Sequence, residues 1–264
     1  MGRPVRRRSS DAESGRLKSV SMLILLPPSE SKSTGGSGAP LDLAGLSWPE
    51  LTDVRRTIAD DLVALSADRD AAMAALKLGP KLAGEVDVNA ALFTSPTMPA
   101  LDRYTGVLYD ALDAANLSPA ARSRLAVGSA LFGVVGGEDM IPAYRLSGGS
   151  KLPGADGAAP TMRARWGRAI TEALTGGDHG LIVDLRSGAY MNLGKVPGAV
   201  MATVLTTEGK VVSHFNKHHK GLLARALAEA AGPVGSLDDA VAVARDAGLD
   251  AKADDGGIVV TMPA

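Results

Sequence analysis

Short apolar runs that end abruptly in loop-forming polar residues recur along this chain, and they constrain its fold more than any other feature. Met22-Leu23-Ile24-Leu25-Leu26 is stopped by Pro27-Pro28. Leu125-Ala126-Val127 runs into Gly128-Ser129, and Leu181-Ile182-Val183-Asp184-Leu185 into Arg186-Ser187-Gly188. Runs this short, bounded by Gly, Pro and Ser, read as buried strands. Between them lie segments of helical period. Leu51, Val54, Ile58, Leu62 and Leu65 recur at helical spacing after Ser47 as N-cap and Pro49 in the first turn. The alternation predicts a mixed α/β (α+β) architecture, a single compact domain over residues 22–264 with a mixed sheet and surrounding helices. With 264 residues, 45% of them hydrophobic, the chain can bury a full core.

The same reading predicts short helices over residues 67–92, a helix over Met98–Ala115 and a glycine-rich turn or short helix after Leu125–Val127. Met140–Leu146 reads as extended. A helix over Met162–Leu174 carries Arg163, Arg165 and Arg168, with Trp166 anchored in the core. Ala199–Leu205 and Lys210–Phe215 read as strands of a hairpin across Thr206-Thr207-Glu208-Gly209. Helices over Lys220–Ala231 and Leu237–Ala247 and a strand over Gly257–Met262 complete the pattern.

Residues 1–21 carry six basic and two acidic residues and no apolar core of their own, so they read as a disordered basic tail, with Met22 as an alternative start. Of 28 basic and 29 acidic residues overall, 22 and 27 then remain, a net charge of −5 for the body. Such a body is no bulk polyanion binder. Residues 121–225 are nevertheless net +6, with 13 basic and 7 acidic residues, and the rest of the body is net −11. This describes either a local anion site or an ordinary uneven surface. No apolar run approaches the ~18 residues needed to cross a bilayer, so no membrane association is expected. The chain has no cysteine, which removes disulfides, thiolate chemistry and Cys-based metal sites. Aromatics make up only 3%, too few for base stacking to be the main binding device.

Four polar clusters follow predicted strands: Ser29, Glu30 and Lys32; Arg145; Asp184, Arg186, Ser187 and Tyr190; and Lys217 and Lys220 among the histidines. In α/β sheets ligands collect beyond strand ends. If the strands are neighbours, the clusters meet in one pocket suited to a phosphate, a nucleotide or a nucleic-acid backbone. Asp184 inside an apolar run must be paired, satisfied by backbone N–H groups, or functional. Leu78-Gly79-Pro80-Lys81-Leu82-Ala83 is either a plain linker between helices or a Gly-Pro turn facing a phosphate. His214 falls on a predicted strand, so it cannot form an i, i+4 pair with His218, and no metal site is expected. No P-loop, GxSxG elbow or GxGxxG after a strand is present, and no cofactor is expected.

One ordered series of segments goes further: Met22–Lys32, Lys81-Leu82-Ala83-Gly84, Tyr104-Thr105-Gly106-Val107-Leu108-Tyr109, Leu131-Phe132-Gly133-Val134, Pro142-Ala143-Tyr144-Arg145-Leu146, Trp166-Gly167, Asp184–Tyr190 and Lys217-His218-His219-Lys220-Gly221-Leu222. In this order, over residues 22–262, the chain resembles the YaaA family of peroxide stress proteins. The resemblance implies a cytoplasmic protein that limits oxidative damage and keeps free iron low. It also implies DNA binding and a helix-hairpin-helix element, here at Leu78–Gly84. Lys32, Arg145, Lys217 and Lys220 would supply a basic cleft, and Lys81 the hairpin. The Pro27–Lys32 loop departs from the family pattern, as does the net acidic body.

Two functions fit these residues. One is a DNA-binding stress protein that grips the backbone through Lys32, Lys81, Arg145, Lys217 and Lys220. The other is an enzyme acting on a nucleotide or nucleobase, with Asp184 as acid/base, Tyr190 beside it and the same cations holding a phosphate. The sequence leaves open whether any reaction is catalysed.

Overall fold

The computed structural model describes residues 22–262, apart from the side chains of Ser213 and His214. The reading of residues 1–21 as a tail falls outside the described residues.

Among the described residues nine strands are formed: β1 (Leu23–Leu26), β2 (Met98–Pro99), β3 (Leu125–Ser129), β4 (Gly133–Gly136), β5 (Met140–Ile141), β6 (Ile182–Asp184), β7 (Val200–Thr206), β8 (Asp250–Asp254) and β9 (Gly257–Met262). Eleven helices accompany them among the described residues: α1 (Thr52–Leu65), α2 (Arg69–Ala75), α3 (Gly84–Ala90), α4 (Ala100–Arg103), α5 (Val107–Leu112), α6 (Pro119–Arg122), α7 (Met162–Trp166), α8 (Ala169–Gly176), α9 (Gly188–Met191), α10 (Ser213–Glu229) and α11 (Leu237–Asp246).

Seven strands make one sheet in the order β4-β3-β1-β6-β7-β9-β8, and β2 pairs with β5 apart from it. The five inner strands are parallel, and β4 and β8 close the two edges antiparallel. The fold class is therefore the expected mixed α/β. The apolar run at β1 explains its central place: Leu23–Leu26 are all buried, with Ile24, Leu25 and Leu26 fully so. A short strand with no polar face needs cover on both sides of the sheet and a partner on each edge. Helix α10 packs on α5, β1 and β7, and α11 on β8 and β9. The α10–α5 contact is close because Gly221 faces the Leu108 carbonyl oxygen, where any Cβ would clash.

Several local readings are corrected. Met98–Ala115 is not one helix. The backbone of Tyr104 pairs with Lys32, and Gly106 at φ +99° cannot continue a helix. Met162–Leu174 breaks at Gly167, φ +53°. The hairpin predicted at Thr206–Gly209 turns as expected, with Gly209 N–H on the Thr206 carbonyl, but no strand returns from it. Strand β7 pairs with β6 at Val200 and Met201 and with β9 over Ala202–Thr206, while residues 210–212 stay irregular and α10, which packs on β7, begins at Ser213. His214 therefore lies in a helix, in i, i+4 register with His218. Ser47 is not an N-cap: its hydroxyl and N–H donate to Asp139, and Trp48 in left-handed conformation precedes a 3₁₀ turn at Pro49–Leu51. The residues after β3 form a second strand, β4, and Asp250–Asp254 pairs as β8 despite its polar sequence. Leu78–Gly84 contains a 3₁₀ turn, Pro80–Leu82, between α2 and α3, and a helix-hairpin-helix is not shown there. Trp166 is core as expected, 1% exposed, donating Nε1–H to the Ala130 carbonyl.

Buried arginines hold the irregular segments to this frame. Arg55 donates to the carbonyls of Phe132, Ser47 and Val134 at 2.7–2.9 Å. Arg103, fully buried, donates to the carbonyls of Ile141, Ser33, Gly35 and Pro96. It thereby ties the loop after Lys32 to α4 and β5. Replacing Arg103 by Ala should cost about 3 kcal/mol, since charge-assisted bonds are lost and carbonyls are left unpaired. Urea unfolding reads the loss, and native-state hydrogen exchange should accelerate first at residues 33–38.

Candidate functional site

The parallel strands β1 and β6 lie side by side, and the chain leaves β1 toward β3 on one flank before returning to β6 on the other. This is a topological switch point, where the loops after the strand ends part and leave a crevice. Pro27–Ser31 continues from β1, and Leu185, Ser187 and Tyr190 follow β6. Thr105–Tyr109 closes a second side and Asn216, Lys217 and Lys220 of α10 the third, around a cleft of about 500 Å³.

Each wall is fixed by identifiable bonds. Leu185 N–H donates to the Leu25 carbonyl, and the Leu185 carbonyl accepts from Lys220 Nζ at 3.1 Å. One residue thus joins β1, β6 and α10. Tyr109 donates its hydroxyl to the Pro27 carbonyl at 2.8 Å and stacks on Tyr104 at 5.6 Å. The Thr105 N–H bonds the Ser31 carbonyl, and the Ser31 N–H bonds Ser29 Oγ. Beneath this loop runs a buried hydroxyl chain, Tyr104–Tyr144–Ser129, with both steps at 2.7 Å. Ser129 Oγ also accepts the N–H groups of Leu131 and Phe132, so its own proton points toward Tyr144. Burial pushes the phenols of Tyr104, Tyr109 and Tyr144 well above their ordinary range, and that of Tyr190 up to about 12. All four are neutral hydrogen-bonding groups at physiological pH.

The seven candidate site residues read from the sequence, Lys32, Lys81, Arg145, Asp184, Tyr190, Lys217 and Lys220, divide into groups. Lys217, Lys220 and Tyr190 line the cleft, with Lys217 exposed at its mouth and Lys220 half-buried. Burial lowers the Lys220 ammonium, opposed by Asp184. Lys32 lies behind the cleft wall. Its Nζ donates to the Ser29 carbonyl at 3.0 Å and sits 4.3 Å from the Tyr144 ring centre. Burial brings its ammonium down to about 8, partly offset by Glu30 and reinforced by Arg145. Arg145 pairs with Glu30 at 2.9 Å and lines an adjoining cavity of about 270 Å³, which also includes Lys77. Glu30 borders both cavities. Lys81 is exposed on the Pro80–Leu82 turn and borders neither.

Asp184 is 2% exposed and lies under the cleft rather than in its lining. Its Oδ1 accepts from Arg186 N–H and Nε at 3.0 and 2.9 Å, and its Oδ2 from the Arg186 terminal nitrogen at 2.6 Å. The same nitrogen donates to the Gly194 carbonyl, and the Arg186 stem crosses Gly128, where a Cβ would leave no room. The pair sets the path from β6 to Ser187 and Tyr190. Among groups that sequence reasoning did not single out, Asn216 borders the cleft and its buried Oδ1 has no hydrogen-bond partner among the described residues. Lys77 borders the second cavity. Neither carried a signal, since a lone Asn and a lone surface Lys are common in any helix. Among the described residues no group of three or more His, Asp or Glu side chains is placed to hold a metal ion, and no helix is long and apolar enough to cross a membrane.

The fold and the cleft thus describe an α/β protein with a polar, lysine-edged crevice at the switch point of its sheet. Residues 22–247 match the family model described as peroxide stress protein YaaA, and the chain belongs to that family. It is 58% identical over 239 residues to the UPF0246 protein CE1889 of Corynebacterium efficiens, covering 89% of this chain and 96% of the relative. It is 55% identical to the UPF0246 protein Cgl1995/cg2186 of Corynebacterium glutamicum, over 86% of this chain and 94% of the relative. With the UPF0246 protein SCO2297 of Streptomyces coelicolor it shares 44% identity, over 88% and 93%. Membership supports a role in peroxide stress.

Two outcomes follow from the geometry. Asp184→Ala leaves a buried guanidinium without its countercharge and should cost about 3–5 kcal/mol in urea unfolding, whereas joint replacement of Asp184 by Leu and Arg186 by Met should recover most of it. Lys32 has a lowered folded pKa, so above pH 8 the unfolded state binds the proton that the native state has lost. The Lys32 contribution to stability should therefore rise between pH 8 and pH 10, and the stability gap between wild type and Lys32→Met should shift toward wild type across that window.

Proposed function

We propose that this protein answers peroxide stress by binding DNA through its phosphate backbone at the mouth of the strand-end cleft. The observation that carries the reading is the pair of lysines one helical turn apart on α10, Lys217 and Lys220, facing the loops after β1 and β6. Lys217 makes no salt bridge among the described residues, so its ammonium is available to a phosphate. Ser29 and Ser187 add hydroxyl donors on the facing loops. Contacts of this kind position a backbone without reading bases. With a net acidic body, binding rests on few phosphates and has a shallow salt slope. Arg145, paired to Glu30, and Lys32, behind the loop, tune the local field. Lys81 on its separate turn is a second, outlying backbone contact. In this reading the protein is cytoplasmic, and lowered free iron follows from the nucleic-acid interaction rather than from chelation.

A second reading is favoured by the concavity of the site. A crevice of about 500 Å³ at a switch point has the volume of a small-molecule pocket. It suits a nucleotide or nucleobase, with Lys217 and Lys220 on the phosphate and Tyr190 as a neutral hydroxyl. An acid/base role for Asp184 would first require its carboxylate to be released from Arg186, which occupies both of its oxygens.

Fluorescence anisotropy of the full chain with labelled DNA across a salt series tests the first reading. Lys217→Gln should weaken binding about 3- to 10-fold for every sequence and lower the slope of log K against log salt by about 1. An unchanged slope would remove the cleft from the interface.

A further inference from the structure

We propose that Lys220 is a nucleophilic amine, and that the strand-end cleft captures an aldehyde or ketone carrying an anionic group as an imine on its Nζ. This goes beyond the binding of DNA, in which an ammonium serves only as a charge. Three lysines stand around the ends of β1 and β6, and their surroundings differ. Lys217 is exposed at the mouth and keeps its ammonium in water. Lys32 turns inward onto two tyrosine rings and lines neither cavity. Lys220 alone of the three is both withdrawn from water and open to the cleft.

The partner of Lys220 decides its chemistry. Nζ donates to the Leu185 carbonyl at 3.1 Å and makes no salt bridge among the described residues. Asp184 has both oxygens on Arg186, and Glu30 at the cleft edge is paired with Arg145. A carbonyl acceptor takes one N–H and leaves the lone pair of a neutral amine unoccupied, whereas a carboxylate would hold the group charged. Burial lowers the Lys220 ammonium, opposed by Asp184, so more of it is free amine than in an exposed lysine. A lysine desolvated in a pocket is activated as a nucleophile.

The rest of the lining fits the carbonyl compound. Asn216, one turn before Lys220 on α10, has a buried Oδ1 with no hydrogen-bond partner among the described residues. The hydroxyl formed when an amine adds to a carbonyl is a donor that this acceptor lacks. Tyr190 stays a protonated phenol, pushed up to about 12, and its oxygen already accepts the Gly148 N–H, so it offers the cleft a proton. Lys217 at the mouth, with the Ser29 and Ser187 hydroxyls, holds the anionic group. In the reaction the Nζ lone pair forms a C–N bond to the carbonyl carbon, and the C=O π pair moves to oxygen, which takes up the proton lost from nitrogen. The resulting carbinolamine releases its hydroxyl with a second N–H proton as water and leaves a C=N bond. No oxidant or reductant is consumed.

The anionic group is a carboxylate or a phosphate, and the probes separate the two: glyoxylate, glycolaldehyde phosphate and, as a neutral control, acetaldehyde. The full chain is incubated with each in the presence of sodium cyanoborohydride, which reduces an imine to a stable secondary amine, and peptide mass spectrometry locates the label. With at least one anionic probe, Lys220 should be labelled about 10-fold faster than exposed Lys81, and with acetaldehyde the ratio should be smaller. The faster anionic probe identifies the group. Lys217→Gln should bring the anionic ratio down to that of acetaldehyde. Lys220→Arg keeps the positive charge and should abolish the fast label without transferring it to Lys32 or Lys217. Circular dichroism and thermal unfolding confirm that each variant is folded. Labelling of Lys220 no faster than of Lys81 by every probe, or a fast label at Lys32 or Lys217 in the wild type, would overturn the nucleophile. A ratio equally high with acetaldehyde, or unchanged in Lys217→Gln, would overturn the anionic specificity. Binding of DNA is read separately, by anisotropy, and stands or falls on its own.

Discussion

Everything at the top of the sheet depends on β1 being paired in parallel on both edges. Its four residues, Leu23–Leu26, make register with β3 through Ile24–Leu125 and with β6 through Leu25–Asp184. With the strands aligned this way, the residues that follow them emerge at the same end. Pro27 and Pro28 then prevent the strand from running on, and the loop turns across the β6 end instead of away from it. A single backbone unit, Leu185, fastens the arrangement, with its N–H on β1 and its carbonyl holding Lys220. Fixing the same few atoms fixes both a structural junction and the position of a site ammonium.

The parts of this arrangement that follow from burial were legible in the chain. A run such as Met22–Leu26 has no polar face to give to water, so its place in the middle of a sheet is close to forced. The charged clusters after the strands were legible as candidates for the same reason: polar groups at the end of a buried strand have to face something other than the core. The departures arise where backbone or neighbours outweigh local pattern. Val211 and Val212 look like strand residues by composition, but they lead directly into α10, which satisfies its backbone groups internally and packs on β7. Tyr104 and Gly106 interrupt what residue spacing presents as one helix, because a long-range bridge to Lys32 and a left-handed glycine are invisible in a hydrophobic period. Asp250–Asp254 carries almost no apolar signal and is ordered as an edge strand by its pairing with β9 and by α11, whose Arg245 donates to the Ala251 carbonyl.

The site was legible in part for the same physical reasons. Lys217, Lys220 and Tyr190 converge because their strands and helix are neighbours, as the clustering suggested. Lys32, a cleft cation by its place after a strand, instead turns inward onto two tyrosine rings, a contact set by the bridge to Tyr104. Asp184 illustrates why a buried carboxylate identifies a constraint before it identifies a function. The partner two residues along, Arg186, satisfies it with three hydrogen bonds. The rule that such a group must be paired, satisfied or functional was correct, and spacing could not choose among the three.

The two basic residue types are divided by task, and the division follows from their chemistry. Arg55, Arg103, Arg165 and Arg186 are withdrawn from solvent, and each bonds protein carbonyls or a carboxylate. A planar fork with five donors can satisfy several fixed acceptors at once, and its weaker hydration lowers the cost of burial. Lys77 and Lys217 keep exposed ammonium groups at cavity rims. An ammonium on a flexible stem is poor at holding a frame together but well suited to an anion that comes and goes. Arg145 stands between these roles: it is built like the structural arginines, yet its partner is an exposed glutamate rather than a buried acceptor. A fork engaged with a carboxylate that water can reach is a guanidinium whose partner an incoming anion can replace at small cost. An acidic body that holds most of its guanidiniums in internal bonds has little long-range pull on a polyanion. What attraction it has is concentrated where free ammonium groups and this exchangeable pair meet, around the ends of β1 and β6.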